Sequence, residues 1–138
     1  MSPDSWKGSE KGAMLFDTDI LIWVFRGNAK EARVVERDFD RRLSVVSYME
    51  LLQGAADPGE KRRIKSFLKD CAFSMVPLTE NIGHRASIYM EEFAASSGLR
   101  VADALIAATA AEDHLPLCTG DQRHFRVIRE LELSVFKP

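Results

Sequence analysis

Short apolar runs alternate along the chain with stretches in which apolar residues recur every three or four positions. Met14-Leu15-Phe16 is a compact apolar run ending at Asp17, the pattern of a buried strand. After it, Ile20, Leu21, Val24 and Phe25 fall at helical spacing until Arg26-Gly27-Asn28 interrupts them. A polar helix is expected over residues 29–40. Residues 43–46, Leu-Ser-Val-Val, read as a second buried strand. Ser47 is the expected N-cap of the next helix, with Glu50 three residues on, as in a capping box. That helix carries Met49, Leu51 and Leu52 and ends at Gly54. Asp57-Pro58 opens a further helix over 59–68, with proline near its first turn. Residues 73–76 form an expected third strand. Thr79 caps a long helix over 80–96 that Gly98 closes. An alanine-rich helix is expected over 101–112, a fourth strand over 115–119, a turn with a short helical segment over 120–125, and a last strand over 133–136.

Short apolar strands alternating with helices predict an α/β fold, a single domain built on a parallel sheet of four to five strands flanked by helices. The length, 138 residues, suits one domain and can bury a core without staples. The expected division is a polar, Gly- and Ser-containing lead over 1–12, read as disordered, followed by the folded domain over 13–138.

Composition narrows the function classes. The hydrophobic fraction of 46% argues against wholesale disorder. There is no apolar run of membrane-spanning length, and MSPDSWKGSEKGAM lacks the apolar stretch of a signal peptide, so a cytoplasmic location is expected and no membrane partner. Two cysteines, Cys71 and Cys118, make neither a disulfide framework nor a four-ligand zinc site. The net charge of -2 is unlike that of a protein that merely coats nucleic acid. Basic residues nevertheless cluster at Arg33, Arg37, Arg41 and Arg42, at Lys61, Arg62, Arg63, Lys65 and Lys69, and at Arg123, Arg126 and Arg129. For any single cluster, a solvated helix face is the preferred reading.

Ligands of open parallel sheets bind beyond the carboxyl ends of the strands. Asp17 ends the first expected strand, Glu50 follows the second, and Asp121 follows the fourth, while Asp103 lies in the first turn of a helix. Each has an ordinary structural explanation as a cap or turn residue. Glu50 and Asp103, however, sit among apolar neighbours, in Tyr48-Met49-Glu50-Leu51-Leu52 and Val101-Ala102-Asp103-Ala104-Leu105. Desolvating a carboxylate without a partner is costly. No Lys or Arg lies one helical turn from Glu50, and Arg100 alone cannot balance four acids. If the acids converge, a divalent cation with oxygen ligands is the natural counter-charge. Mg²⁺ or Mn²⁺ held there, as one ion or two about 4 Å apart, would act on a phosphodiester. Thr18 and Thr119 border the acids and could orient them or bind phosphate.

Four segments in order resemble the motifs of PIN domains, and more narrowly those of VapC-type toxins of bacterial toxin–antitoxin pairs. They are Leu15-Phe16-Asp17-Thr18-Asp19-Ile20-Leu21-Ile22, Ser47-Tyr48-Met49-Glu50-Leu51-Leu52-Gln53-Gly54, Ala102-Asp103-Ala104-Leu105-Ile106-Ala107-Ala108, and Thr119-Gly120-Asp121-Gln122-Arg123-His124-Phe125. The resemblance covers nearly everything after residue 13. It implies that Asp17, Glu50 and Asp103 are core metal-binding and catalytic acids and Asp121 a fourth, more variable one. It also implies Mg²⁺- or Mn²⁺-dependent endoribonuclease activity on an RNA substrate, restraint by a cognate antitoxin protein, and a homodimer. Two departures stand out. Asp19 occupies a position where the family often has Asn, adding possible ligand charge, and His124 stands where the family often has Asp. His124 is read as neutral structure, with substrate contact as the alternative. For the dimer, the helix over 80–96 offers Ile82, Ile88, Tyr89, Met90 and Phe93 as a candidate self-complementary face.

Two other readings compete. Phe16-Asp17-Thr18-Asp19 and Gly120-Asp121 also resemble motifs of haloacid-dehalogenase-like phosphatases, with Asp17 as nucleophile and Asp19 as acid/base. But Ile20-Leu21 follows where that family has Gly-Thr, and no convincing lysine motif is present. A non-catalytic RNA- or protein-binding domain on the same fold is the other, and the retention of four acids argues against it.

Overall fold

The computed structural model describes residues 12–27 and 40–136. Among these, the elements in chain order are β1 (Ala13–Phe16), α1 (Thr18–Phe25), β2 (Asp40–Ser44), α2 (Val45–Gln53), α3 (Pro58–Asp70), β3 (Ser74–Val76), α4 (Glu80–Ser97), α5 (Val101–Glu112), β4 (Leu117–Thr119) and β5 (Leu133–Val135). The five strands form one sheet in the order β3-β2-β1-β4-β5, and every pairing is parallel.

Strand alternation divides the core into two layers. Met14 and Phe16 of β1 and Cys118 of β4 face one side, where they pack with Ile20 and Leu21 of α1 and with Ile64 and Leu68 of α3. Leu15 and Leu117 face the other side, against Ile82, Ala86 and Tyr89 of α4 and Ile106, Ala107 and Ala110 of α5. Because successive side chains on a strand point to opposite faces, this pattern requires helices on both sides. β1 lies at the centre, and its Met14, Leu15 and Phe16 are at most 1% exposed. The chain runs from β1 to β2 on one side, while β4 pairs on the other. The carboxyl ends of β1 and β4 therefore flank the topological switch point.

The α/β class, the parallel sheet and the helix over Val101–Glu112 agree with the sequence reading. Thr79 caps α4 through a hydrogen bond from Ile82 N at 3.1 Å. Gly98 closes it at φ 72°, a left-handed conformation that glycine adopts without strain. The expected polar helix over 29–40 lies outside the described residues, except for Asp40, which opens β2. The expected lead over 1–12 lies outside them too, apart from Gly12.

One boundary needs correction. Strand β2 ends at Ser44, and Val45 and Val46 are already helical. Ser44, not Ser47, is the N-cap, its Oγ accepting from Val46 N at 3.0 Å. Two β-branched valines made strand the natural reading, but the cap three residues earlier wins. Ser47 and Glu50 consequently form no capping box; both lie within α2. The strand's start was hidden by charge: Arg42 pairs with Asp40 at 2.9 Å, and Arg41 donates to Cys71 O at 2.8 Å. The proposed dimer face on α4 also changes. Ile82 and Tyr89 are buried within the domain, whereas Ile88, Met90 and Phe93 are only partly covered by it.

Candidate functional site

Asp17 is where the polar chemistry starts. It follows β1 directly and serves as N-cap of α1, with only 8% of its surface exposed. One carboxylate oxygen, Oδ1, accepts from Thr18 N at 2.7 Å, and Oδ2 accepts from the Thr119 hydroxyl at 2.7 Å. Thr119 ends β4 and is itself buried, so the contact spans the switch point. The same Thr119 oxygen accepts from Asp121 N at 3.1 Å, which fixes the turn carrying the Asp121 carboxylate.

Glu50 joins from the other side. Thr18 Oγ1 lies 2.7 Å from Glu50 Oε1 and 2.8 Å from Ser47 Oγ. A hydroxyl carries one proton, and the carboxylate is the stronger acceptor. Thr18 therefore donates to Glu50, and Ser47 can donate to Thr18. Glu50 reaches the site because Ser44, rather than Ser47, caps α2.

Asp103 occupies the first turn of α5, where its Oδ2 accepts from Arg100 N at 3.3 Å. His124 Nδ1 stands 3.8 Å from Asp103 Oδ2 and 3.8 Å from Asp121 Oδ2. The other oxygen of Asp121 accepts from Arg123 N at 3.0 Å and from Arg123 Nε at 3.3 Å. A chain of polar contacts thus runs from Glu50 through Thr18, Asp17, Thr119 and Asp121 to His124 and Asp103.

Asp19 lies one turn into α1 beside this chain. Its carboxylate accepts from Ile20 N and Gly120 N, and its Oδ1 is buried with no hydrogen-bond partner among the described residues. Gly120 is required here: a Cβ would lie 2.5 Å from the Trp23 ring and 3.0 Å from Asp19 Oδ2.

The acids repel one another. Burial pushes the Asp17 carboxyl up from 3.8 to about 7, with Asp19 and then Asp103 adding to the rise. Burial also raises Asp19, with Asp121 contributing. Asp121 moves the opposite way, because Arg123 donates to it. The inner acids, Asp17 and Asp19, are therefore ionised only at a cost, whereas the outer acid has a cation beside it.

These groups fit a hard divalent cation. The donors are carboxylate and hydroxyl oxygens, and among the described residues one buried oxygen is orphaned and no lysine or arginine neutralises Asp17. Among the described residues no group of three or more His, Cys, Asp or Glu stands close enough together, as placed, to hold a metal ion. The acids stand in a looser array that side-chain rotation would have to tighten. A cavity of about 590 Å³ exists elsewhere, between α4 and residues 127–130, and none of these acids lines it.

All four acids singled out in the sequence thus lie on one connected array, together with Thr18, Asp19 and Thr119. Sequence reasoning missed Ser47 as a site hydroxyl. Its signal was available in the spacing of Ser47 and Glu50, which places them on one helical face. It also preferred an uninvolved His124, which the structure places between two of the acids.

A five-stranded parallel sheet with carboxylates gathered at its switch point defines an α/β protein with an acidic site. The chain belongs to the PIN domain family, whose pattern matches residues 14–131. It is similar to a chain of a toxin–antitoxin complex from Klebsiella pneumoniae, at 26% identity and a TM-score of 0.73, covering 91% of this chain and 99% of that one. It also shares its fold with a chain of VapBC2 from Rickettsia felis bound to a promoter DNA fragment (18% identity, TM-score 0.75, 91% and 99% covered). A chain of VapBC-1 from nontypeable Haemophilus influenzae shares it too (20% identity, TM-score 0.74, 89% and 97% covered). The comparison with curated proteins gives no match. The resemblance read from the four motifs is borne out at the level of family, and the phosphatase reading loses its support. No helix among the described residues is long and apolar enough to cross a membrane.

Proposed function

We propose that this protein is a divalent-metal-dependent endoribonuclease, the toxin of a toxin–antitoxin pair. Its membership of the PIN family supports a hydrolase acting on nucleic acid, and similar chains come from toxin–antitoxin complexes. The observation that carries the reading is the connected array of Asp17, Glu50, Asp103 and Asp121 at the switch point, with the buried, unpartnered Asp19 Oδ1 beside it.

In this reading Asp17, Glu50, Asp103 and Asp121 hold Mg²⁺ or Mn²⁺, and Asp19 adds charge to the site. The chemistry supplied by such an ion, when bound, is polarisation of the scissile phosphodiester and activation of water. The chain's own groups do the positioning. Thr119 fixes the rotamer of Asp17, Thr18 fixes Glu50, and Arg123 holds one oxygen of Asp121 while leaving the other toward His124. Because Asp17 is held through two adjacent strands, its placement is as rigid as the sheet.

A partner that restrains the enzyme has an evident target. An arginine entering the acidic array can pair with two carboxylates through its planar fork and satisfy the repulsion that a cation otherwise relieves. The remaining parts of the reading are a cytoplasmic location, a nuclease domain over 13–138 preceded by a separate lead, and a homodimer.

The test is cleavage of an internally labelled single-stranded RNA by the purified chain. Internal cuts are expected with Mg²⁺ or Mn²⁺, none in excess chelator, and recovery when metal is restored. Asp103→Asn should retain the fold and lose nearly all cleavage. Undiminished cleavage in chelator, or wild-type turnover by Asp103→Asn, would overturn the assignment.

A further inference from the structure

We infer that the exposed face of α3 is a docking track for the phosphate backbone of single-stranded RNA. This rests on the ribonuclease reading above and names where its substrate lies outside the acidic site.

Helix α3 buries one narrow side and leaves the other to water. Ile64 and Leu68 are in the core, while Lys61, Arg62, Lys65 and Lys69 are exposed. At 100° per residue these four cations fall within one 100° sector that borders the buried side, with Lys61 about 20° and Arg62 about 120° from Leu68. Pro58 is the only other residue in the sector, so it contains no acid. The helix's acids lie outside it: Asp57 accepts from Glu60 N as the N-cap, Glu60 accepts from Ala56 N and faces Arg63 at 3.9 Å, and exposed Asp70 ends the helix. Lys61, Arg62, Lys65 and Lys69 form no ion pair among the described residues.

Such a stripe works against the helix itself. Lys61 and Lys65, and Lys65 and Lys69, are like charges four residues apart, a spacing that destabilises helices. Lys61 and Arg62 lie toward the helix's positive end, where cations are disfavoured. In a chain of net charge -2, one cationic face with no acid in it suits a polyanion rather than the fold. Lys61, Lys65 and Lys69 rise about 6 Å from one to the next along the axis, forming a line rather than a point. A line of regularly spaced cations matches a strand with one phosphate per nucleotide.

The helix that carries the stripe also borders the acidic site, through its other flank. Glu50 and Gly54 of the α2 segment, Arg26 at the end of α1, and Glu60 and Ile64 of α3 line one small hollow. Arg26 is exposed, forms no ion pair among the described residues, and places a further cation beside Glu50 in that hollow.

The test measures binding rather than cleavage. A fluorescein-labelled single-stranded RNA of about 20 nucleotides is titrated in chelator at several salt concentrations, with anisotropy as the readout. The full chain is compared with K61Q/K65Q/K69Q and with K61R/K65R/K69R. Removing three phosphate contacts should weaken binding about 10- to 100-fold at 0.1 M salt and lower the salt slope by about 2. The arginine variant should bind as the wild type does. Circular dichroism verifies that each variant folds. Unchanged affinity and slope in the glutamine variant, or no RNA binding by the wild type at low salt, would overturn the inference. So would a glutamine variant that binds RNA normally but loses affinity for a partner protein, since the face would then serve that partner. The assay needs no turnover, so absence of nuclease activity would refute the proposed function without affecting this comparison.

Discussion

Replacing Asp17 with Asn should stabilise the metal-free protein while abolishing its activity, an inversion that ordinary core residues do not show. Asp17 is buried, and its carboxyl is raised from 3.8 to about 7, first by burial and then by Asp19. A tenfold change in proton affinity is worth about 1.4 kcal/mol, so holding the ionised form costs at most about 4 kcal/mol at neutral pH. Asn keeps the shape and removes the charge. Its carbonyl can still accept from Thr18 N, and its amide can donate to Thr119 Oγ1. The Thr119 hydroxyl can then turn toward Asp121 O, 3.3 Å away. With Asp19 partly relieved as well, a net gain of about 1–3 kcal/mol is expected, or roughly 3–10 °C in Tm. The sign with pH follows from the same shift. A carboxyl whose folded pKa lies above its unfolded value contributes stability below about pH 4, and that contribution is lost as pH rises through about 7. In chelator the wild type should therefore lose stability across this window, and Asp17→Asn should lose less. Differential scanning calorimetry from pH 4 to 8 measures both. A variant that is less stable than the wild type at pH 7.5 in chelator, or that shows the same pH slope, would refute the electrostatic argument.

Other substitutions probe the supports of the site. Thr119→Val should cost about 2–4 kcal/mol in chemical denaturation, because it strands a buried Asp17 oxygen and Asp121 N, whereas Thr119→Ser should cost much less; equal costs would show that the hydroxyl is not what matters. Gly120→Ala drives a Cβ into the Trp23 ring, so it should destabilise by about 1–3 kcal/mol and alter the indole fluorescence, and an unchanged spectrum and stability would contradict the packing. Arg85 bridges Glu112 and Glu130 beneath α4, far in the contact chain from the acids; Arg85→Met should lower Tm yet leave kcat per folded molecule unchanged, and a fall in kcat would show that the two regions are coupled.

The sheet and most helices were legible because most strands centre on short apolar runs, β2 with its charged start being the exception, and most helices repeat apolar residues at helical spacing. Asp17 was legible for the same reason: it is the first polar residue after Met14-Leu15-Phe16 and so marks the strand's carboxyl end. Asp103 and Glu50 stood out as charges among apolar neighbours. What pattern could not supply was the choice between competing caps. Ser44 and Ser47 are both good N-caps, and only the packed structure, with Val46 buried against the far core, decides between them. Nor could spacing reveal the contacts between distant residues. Thr119 and Asp17 are 102 positions apart, and Thr18 and Glu50 are 32 apart. For α4's apolar residues, periodicity shows that a face is buried but not against what. Ile82 and Tyr89 are covered by their own domain.

Titration of the metal-free protein with Mn²⁺ by calorimetry, on the wild type, Asp17→Asn and Asp103→Asn, tests the central claim most directly. If the acids form one cation site, the wild type should bind Mn²⁺ saturably with one or two ions per chain. Each Asn variant should then bind at least tenfold more weakly while keeping its fold. Equal Mn²⁺ affinity in all three proteins would contradict the account, because the convergence of these carboxylates would then have no cation to explain it.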